Sequence, residues 1–191
     1  MSDDVLFIHS AGAQSDDDGS GPLARHLREA LGPGCRMASP RMPDPDHPSY
    51  ARWRQRILPL LTGDDAPAVL VGHSLGGSVL LKLIAEDVPR VAASDLFLVA
   101  SPFWGTDGWD VAEYLLPEGF ASRLPATLRV HLYQSEDDEV VDISHLDRYA
   151  HALPQATARR LMHGGHVFRD GLPELAEAIQ AALGAATGAT R

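Results

Sequence analysis

Short apolar runs recur along the chain, and most lack the alternation of a strand with one wet face. Val5-Leu6-Phe7-Ile8, Ala68-Val69-Leu70-Val71 and Leu96-Phe97-Leu98-Val99 each read as a strand buried on both sides. Residues 128–133 supply another strand, residues 157–162 a final one and residues 35–38 a candidate second, six in all. Between them the apolar period lengthens to that of helices. Pro22, then Leu23, Leu27, Ala30 and Leu31, with Gly32 as terminator, define a first helix. Ser49 is placed to cap a second, with Tyr50, Trp53, Ile57 and Leu60 inward and Pro59 expected to bend or end it. The segment after Ser74 is apolar nearly all round, as a central buried helix should be. Residues 144–151 and 173–183 complete the set, the latter with Leu175, Ala178, Ile179 and Ala182 inward. Residues 184–191 are expected to fray. Pro40, Pro43, Pro45 and Pro48 keep residues 39–48 out of regular structure.

Strands alternating with helices predict the α/β class: a three-layer α/β/α sandwich around a mainly parallel sheet of about six strands. With 191 residues, short loops and no internal repeat, one domain over residues 1–191 is expected. A formal net charge of -10 disfavours nucleic acid and anionic membrane as partners, since both prefer basic surfaces. The single cysteine, Cys35, excludes an internal disulfide and a cysteine-based zinc cluster. Met1-Ser2-Asp3-Asp4 is acidic where a secretory signal is basic, and the apolar run behind it is too short for a signal core. No stretch approaches the ~20 apolar residues that span a bilayer. A cytoplasmic protein is the expectation; nothing in the sequence sets its oligomeric state.

The chemistry concentrates at three places. Gly72-His73-Ser74-Leu75-Gly76 fits the glycine-x-serine-x-glycine nucleophile elbow, directly after an apolar strand and directly before an apolar helix. A serine on so tight a turn needs glycine two residues to either side, so that strand and helix can approach. The turn lifts the hydroxyl above the sheet, beside backbone donors at the helix start. The alternative is a turn whose Ser74 merely caps the helix.

Serine needs a base, and in this arrangement the order is serine, acid, histidine. Among nine histidines, His163-Gly164-Gly165-His166 follows the last strand, and His166 stands beyond the glycine turn while His163 is still close to the strand end. The two could also begin a metal site, but no cysteine or carboxylate completes it nearby, so no metal and no cofactor are expected. The acid belongs after the preceding strand, where Glu136, Asp137, Asp138 and Glu139 offer four carboxylates, three of them expected to be simply solvated. The oxyanion donors are expected to be the backbone amides of Leu75 and of Ala11, the latter in the loop after the first strand. His9 is read as a packing or hydrogen-bonding residue beside the site and is counted among the candidates for the substrate pocket. Phe103 and Trp104 are candidates for lining a substrate pocket, or for ordinary core.

Taken together, His9, Gly72-His73-Ser74-Leu75-Gly76-Gly77, the stretch 135–141 and Gly165-His166-Val167-Phe168 resemble the α/β-hydrolase superfamily in the right order. The short length, with strands starting almost at Met1, is similar to the compact serine-hydrolase family that includes retinoblastoma-binding protein nine, and implies a minimal fold without a cap domain. The superfamily acid motif, glycine-x-x-aspartate-x-x-valine-proline, lays Ser135 on the glycine, Asp138 on the aspartate, Val141 on the valine and Asp142 on the proline. That register implies Asp138, not Asp137, as the acid. The expected activity is acyl transfer to water by Ser74, His166 and Asp138, on small carboxylic esters or thioesters. The alternatives are an amidase or peptidase using the same groups, or a non-catalytic interaction module on the same fold.

Overall fold

A computed structural model gives the fold and describes residues 4–63, 65–88, 91–106 and 108–188. Six strands form one all-parallel sheet: β1 (Val5–Ile8), β2 (Met37–Ala38), β3 (Val69–His73), β4 (Asp95–Val99), β5 (Arg129–Ser135) and β6 (Thr157–Leu161), in the order β2-β1-β3-β4-β5-β6. The helices are α1 (Gly21–Leu31), α2 (Tyr50–Thr62), α3 (Leu75–Asp87), α4 (Phe120–Arg123), α5 (Ser144–Ala152) and α6 (Pro173–Gly188).

The runs without alternation are explained by helices on both faces of the sheet. Leu6, Ile8, Leu70, Leu96, Leu98, Val130 and Leu132 point into a core shared with α2, α3 and α5. Their neighbours Val5, Phe7, Val69, Val71, Phe97, Val99 and Tyr133 point into a second core under α1 and α6. Successive strand residues face opposite ways, so a strand covered on both sides must be apolar at every position. The outcome is the α/β-hydrolase-like sandwich, and among the described residues no cap domain is inserted. Among its described residues, the connection from β4 to α4 carries a 3-10 turn at Ala112–Tyr114 and an isolated bridge between Thr106 and Trp109. No helix of the described residues is long and apolar enough to cross a membrane.

Several local expectations are corrected. Only Met37 and Ala38 pair as β2, shorter than residues 35–38. Ser49 precedes α2 but makes no side-chain cap; the open amide of Tyr50 instead donates to Glu113 Oε2 at 2.8 Å. Pro59 does not end α2, which continues to Thr62. One further turn buries Leu61 beside Leu60, which is half-buried against the same core as expected, and Thr62 Oγ1 donates to the Leu58 carbonyl at 3.0 Å. The last helix runs on to Gly188 past the expected fraying point, while residues 189–191 of that expected tail lie outside the described residues. The two short elements at Ala112–Tyr114 and Phe120–Arg123 had no periodic signal.

At the start of β4, Asp95 is a buried acid. Arg129 Nε and an Arg129 terminal nitrogen donate to it at 2.8 and 2.7 Å, Ser94 Oγ donates at 2.6 Å, and His131 Nε2 lies at 2.8 Å. Burial alone would raise its pKa, but the bonds to His131, Arg129 and Ser94 together outweigh it and hold the carboxyl well below the usual range. A depressed folded-state pKa contributes stability that is present above the unfolded value and is lost as pH falls toward the folded one. Asp95→Asn is therefore expected to lower Tm most at neutral pH, with the gap to wild type closing below about pH 4. Thermal melts across that range check it; a gap of constant size would contradict the account.

Candidate active site

The strand order reverses between β1 and β3, since the chain leaves β1 toward β2 and returns on its other side. Such a switch opens a crevice at the carboxyl ends of the two strands. His9, Ser10 and Ala11 follow β1 there, and Ser74 follows β3. Ser74 alone separates β3 from α3, and it takes φ 52° and ψ -124°. A residue with a Cβ holds such a value only where its surroundings enforce it. Here the Ser74 amide donates to the Val99 carbonyl at 2.8 Å, and the Ser74 carbonyl accepts from Gly77 N at 3.0 Å. The glycines allow the approach: a Cβ on Gly72 would lie 2.4 Å from Gly77 Cα, and one on Gly76 2.4 Å from the Ile8 carbonyl oxygen. No side-chain cap is made by Ser74.

His166 is buried, with Nδ1 at 2.9 and 3.1 Å from the two Asp138 oxygens. Asp138 also accepts from the Val140 and Val141 amides, each at 2.8 Å, and from Gln134 Nε2 at 2.6 Å. Burial would raise its pKa, yet the His166 bond and these amides hold it below its ordinary value. An ionised carboxylate only accepts, so the proton of a neutral His166 sits on Nδ1 and Nε2 is left as a bare lone pair. Asp137 and Glu139 were expected to be only solvated. They are exposed, but Asp137 accepts from Gly165 N at 2.9 Å and from the Ser135 hydroxyl, and Glu139 accepts from His166 N at 3.3 Å. Three consecutive carboxylates thus grip the turn that presents the imidazole. His163 points away, 84% exposed and 3.5 Å from Asp137.

A cavity of about 340 Å³ brings together Ser74, His166, Ala11 and Leu75. Leu75 is the first residue of α3, so its amide has no acceptor within the helix. The Ala11 amide lies between two that are engaged, Ser10 N on Ser20 Oγ at 2.7 Å and Gly12 N on the Pro45 carbonyl at 2.8 Å. Trp104, Trp109 and Tyr114, from the connection after β4, form an aromatic wall, and among the described residues no lysine or arginine lines the space. The Trp104 ring lies 4.7 Å from Tyr114 and 5.1 Å from Trp109. Tyr114 donates to the Pro48 carbonyl at 2.8 Å, so the proline-rich loop reaches the rim through Pro48. Burial pushes the Tyr114 hydroxyl up to about 12. Behind the wall, Lys82 Nζ donates to the Leu115 carbonyl at 2.7 Å and to Glu86 at 2.6 Å.

Two expected pocket residues do not line this cavity. Phe103 turns the other way from Trp104, packing on Tyr149 at 4.9 Å with its amide on His145 Nδ1 at 2.8 Å. His9 is buried against Phe7 at 5.2 Å, and burial lowers its pKa. Among the described residues no group of three metal-ligating side chains gathers.

A family model described as serine hydrolase matches residues 24–182. The chain belongs to the serine hydrolase family. This serine hydrolase is similar in fold to the ydeN gene product of B. subtilis, at 22% identity and TM-score 0.75, with 96% of this chain and 100% of that one covered. It is also similar to a serine hydrolase involved in carbazole degradation, the CarC enzyme (15%, TM-score 0.70, 94% and 90% covered). A third similar structure is the esterase domain of a Rhodothermus marinus protein (17%, TM-score 0.64, 95% and 84%). No curated protein matches the chain.

Sequence reasoning about this serine hydrolase missed Gln134, Glu139, Trp109 and Tyr114. The aromatic wall had a signal, since Trp104, Trp109 and Tyr114 recur every five residues in one irregular stretch. Gly76→Ala tests the close approach at the elbow. With the Ile8 carbonyl in the way, overpacking of about 1–3 kcal/mol is expected, or a Tm lower by roughly 3–10 °C. Calorimetry decides it, and an unchanged Tm would count against so tight a contact.

Proposed function

We propose that this serine hydrolase cleaves small neutral carboxylic esters or thioesters through Ser74, His166 and Asp138. The observation that carries the reading is the strained Ser74 sharing one apolar cavity with His166, whose Nδ1 is held by Asp138. Ser74 Oγ attacks the carbonyl carbon while its proton passes to His166 Nε2, and the carbonyl electrons move onto oxygen. The amides of Ala11 and Leu75 receive that oxyanion. When the intermediate collapses, His166 returns the proton to the departing alkoxide or thiolate, leaving the acyl group on Ser74. Water repeats the sequence and releases the acid. Asp138 holds the Nδ1–H tautomer and stabilises the imidazolium without taking its proton.

The cavity supports neutral acyl groups over charged ones. Its wall is aromatic, no lysine or arginine among the described residues lines it to pair with an anionic substrate, and Glu139 stands beside the turn that carries His166. Ester and thioester leaving groups need less protonation than amines, which places amides second.

Labelling by a fluorophosphonate is expected for wild type and absent for Ser74→Ala; equal labelling of both would end the assignment. Asp138→Asn is expected to lower kcat on a nitrophenyl ester by about 10³- to 10⁴-fold with the fold intact. Steady-state kinetics with a dichroism control measure that, and a loss under tenfold would remove Asp138 from the role. A panel pairing neutral esters with carboxylate-bearing esters and with amides of the same acyl group should rank them in that order.

A further inference from the structure

Ser20 stands just before α1, where a serine hydroxyl ordinarily caps the helix, yet it makes no capping bond. Its Oγ lies instead 2.7 Å from His73 Nδ1, 2.9 Å from Ser10 Oγ and 2.7 Å from Ser10 N. The far side of the His73 ring completes the chain, with Nε2 at 2.8 Å from the His166 carbonyl oxygen. Ser10, Ser20, His73 and His166 are all buried, Ser20 and His73 at 0% exposure.

The chemistry of these partners places every proton. A carbonyl only accepts, so His73 Nε2 carries hydrogen. Burial, and then the nearby His166, push the His73 pKa down to about 3, so the ring is neutral and Nδ1 is bare. Ser20 has one hydrogen and gives it to Nδ1. Its oxygen is then left to accept from the Ser10 amide and the Ser10 hydroxyl. Donation runs one way, from Ser10 to Ser20 to His73 to the His166 carbonyl, and each link polarises the next.

The chain touches three loops at telling positions. Ser10 precedes Ala11, His73 precedes Ser74, and the terminal carbonyl belongs to His166 itself. We propose that Ser20 and His73 are positioning residues that hold the Ala11 amide and the His166 ring at fixed places around Ser74. The inference rests on the roles assigned above to those three residues. Neither Ser20 nor His73 lines the cavity, so neither meets the substrate, and their influence belongs in kcat rather than in KM.

A displacement of about 1 Å in a reacting group can cost roughly 100-fold in rate. Ser20→Ala, which breaks the chain at its centre, and His73→Gln, which leaves Ser20 without its ring acceptor, are each expected to lower kcat by about 10- to 100-fold with KM within about twofold. Melting curves establish that the variants are folded. A folded Ser20→Ala with kcat within twofold of wild type, or a change confined to KM, would overturn the proposal. Nitrogen-15 spectra of wild type, which need no variant to fold, should give His73 as the neutral Nε2–H tautomer throughout the working pH range. An Nδ1–H tautomer, or a ring that protonates near neutrality, would overturn it too. Loss of turnover in Ser74→Ala tests the functional reading separately, because the His73 tautomer is read without any substrate.

Discussion

One residue between a strand and a helix sets the terms for the rest of this molecule. Ser74 has no room for a relaxed turn: β3 ends at His73 and α3 begins at Leu75. The left-handed backbone is tolerated because β3 is clamped between β1 and β4, and because α3 is buried almost all round and cannot shift to relieve it. That demand propagates outward. Helix and strand must approach closely, so positions 72 and 76 must be glycine, and the carbonyl of Ile8 in β1 lies where a side chain on residue 76 would go. The sheet, the central helix and the first-strand loop are thereby fixed relative to one hydroxyl.

Around this point the protein arranges polar groups by burial and geometry more than by net charge. Asp138 is kept ionised inside the fold by four donors, and Asp137 and Glu139 act on backbone amides of the neighbouring turn. Backbone donors to an exposed carboxylate are individually modest, but two in adjacent residues restrict the turn that bears the imidazole. On the opposite side the aromatic wall has its own supports, with Lys82 on the Leu115 carbonyl and Tyr114 on Pro48. The site is held from both flanks by hydrogen bonds to backbone, the kind that survive changes in the surrounding side chains.

Much of this was legible in the sequence, for identifiable reasons. Strands covered on both faces are continuous apolar runs, and the elbow spacing stands between such a run and an apolar helix, so the layers and the sharp turn at Ser74 could be read directly. His166 followed from chain order and the glycine turn, and Asp138 from the resemblance of its motif. What could not be read depends on contacts far apart in sequence. Ser49 was a sound choice of cap until Glu113 took the open amide, and Pro59 was a sound terminator until burial of Leu61 extended the helix. Phe103 and Trp104 are adjacent, alike in composition and both packed against the core, yet only tertiary packing brings Trp104 and not Phe103 to the cavity. Nothing local to Ser20 in the sequence points to the histidine, more than fifty positions away, that its hydroxyl meets.

The two borders of the sheet carry a different consequence. A parallel sheet with open edges offers unpaired amides and carbonyls to any other extended chain. On one side the border strand β2 is only two residues long, too short to template a partner. On the other, β6 presents Thr157, Arg159 and Arg160 to solvent, and Arg160 is paired with Asp147. Docking a second chain there would strip water from guanidinium groups. An enzyme with every strand aligned the same way is thus discouraged from joining its sheet edge to edge with another, by brevity at one margin and by cationic side chains at the other.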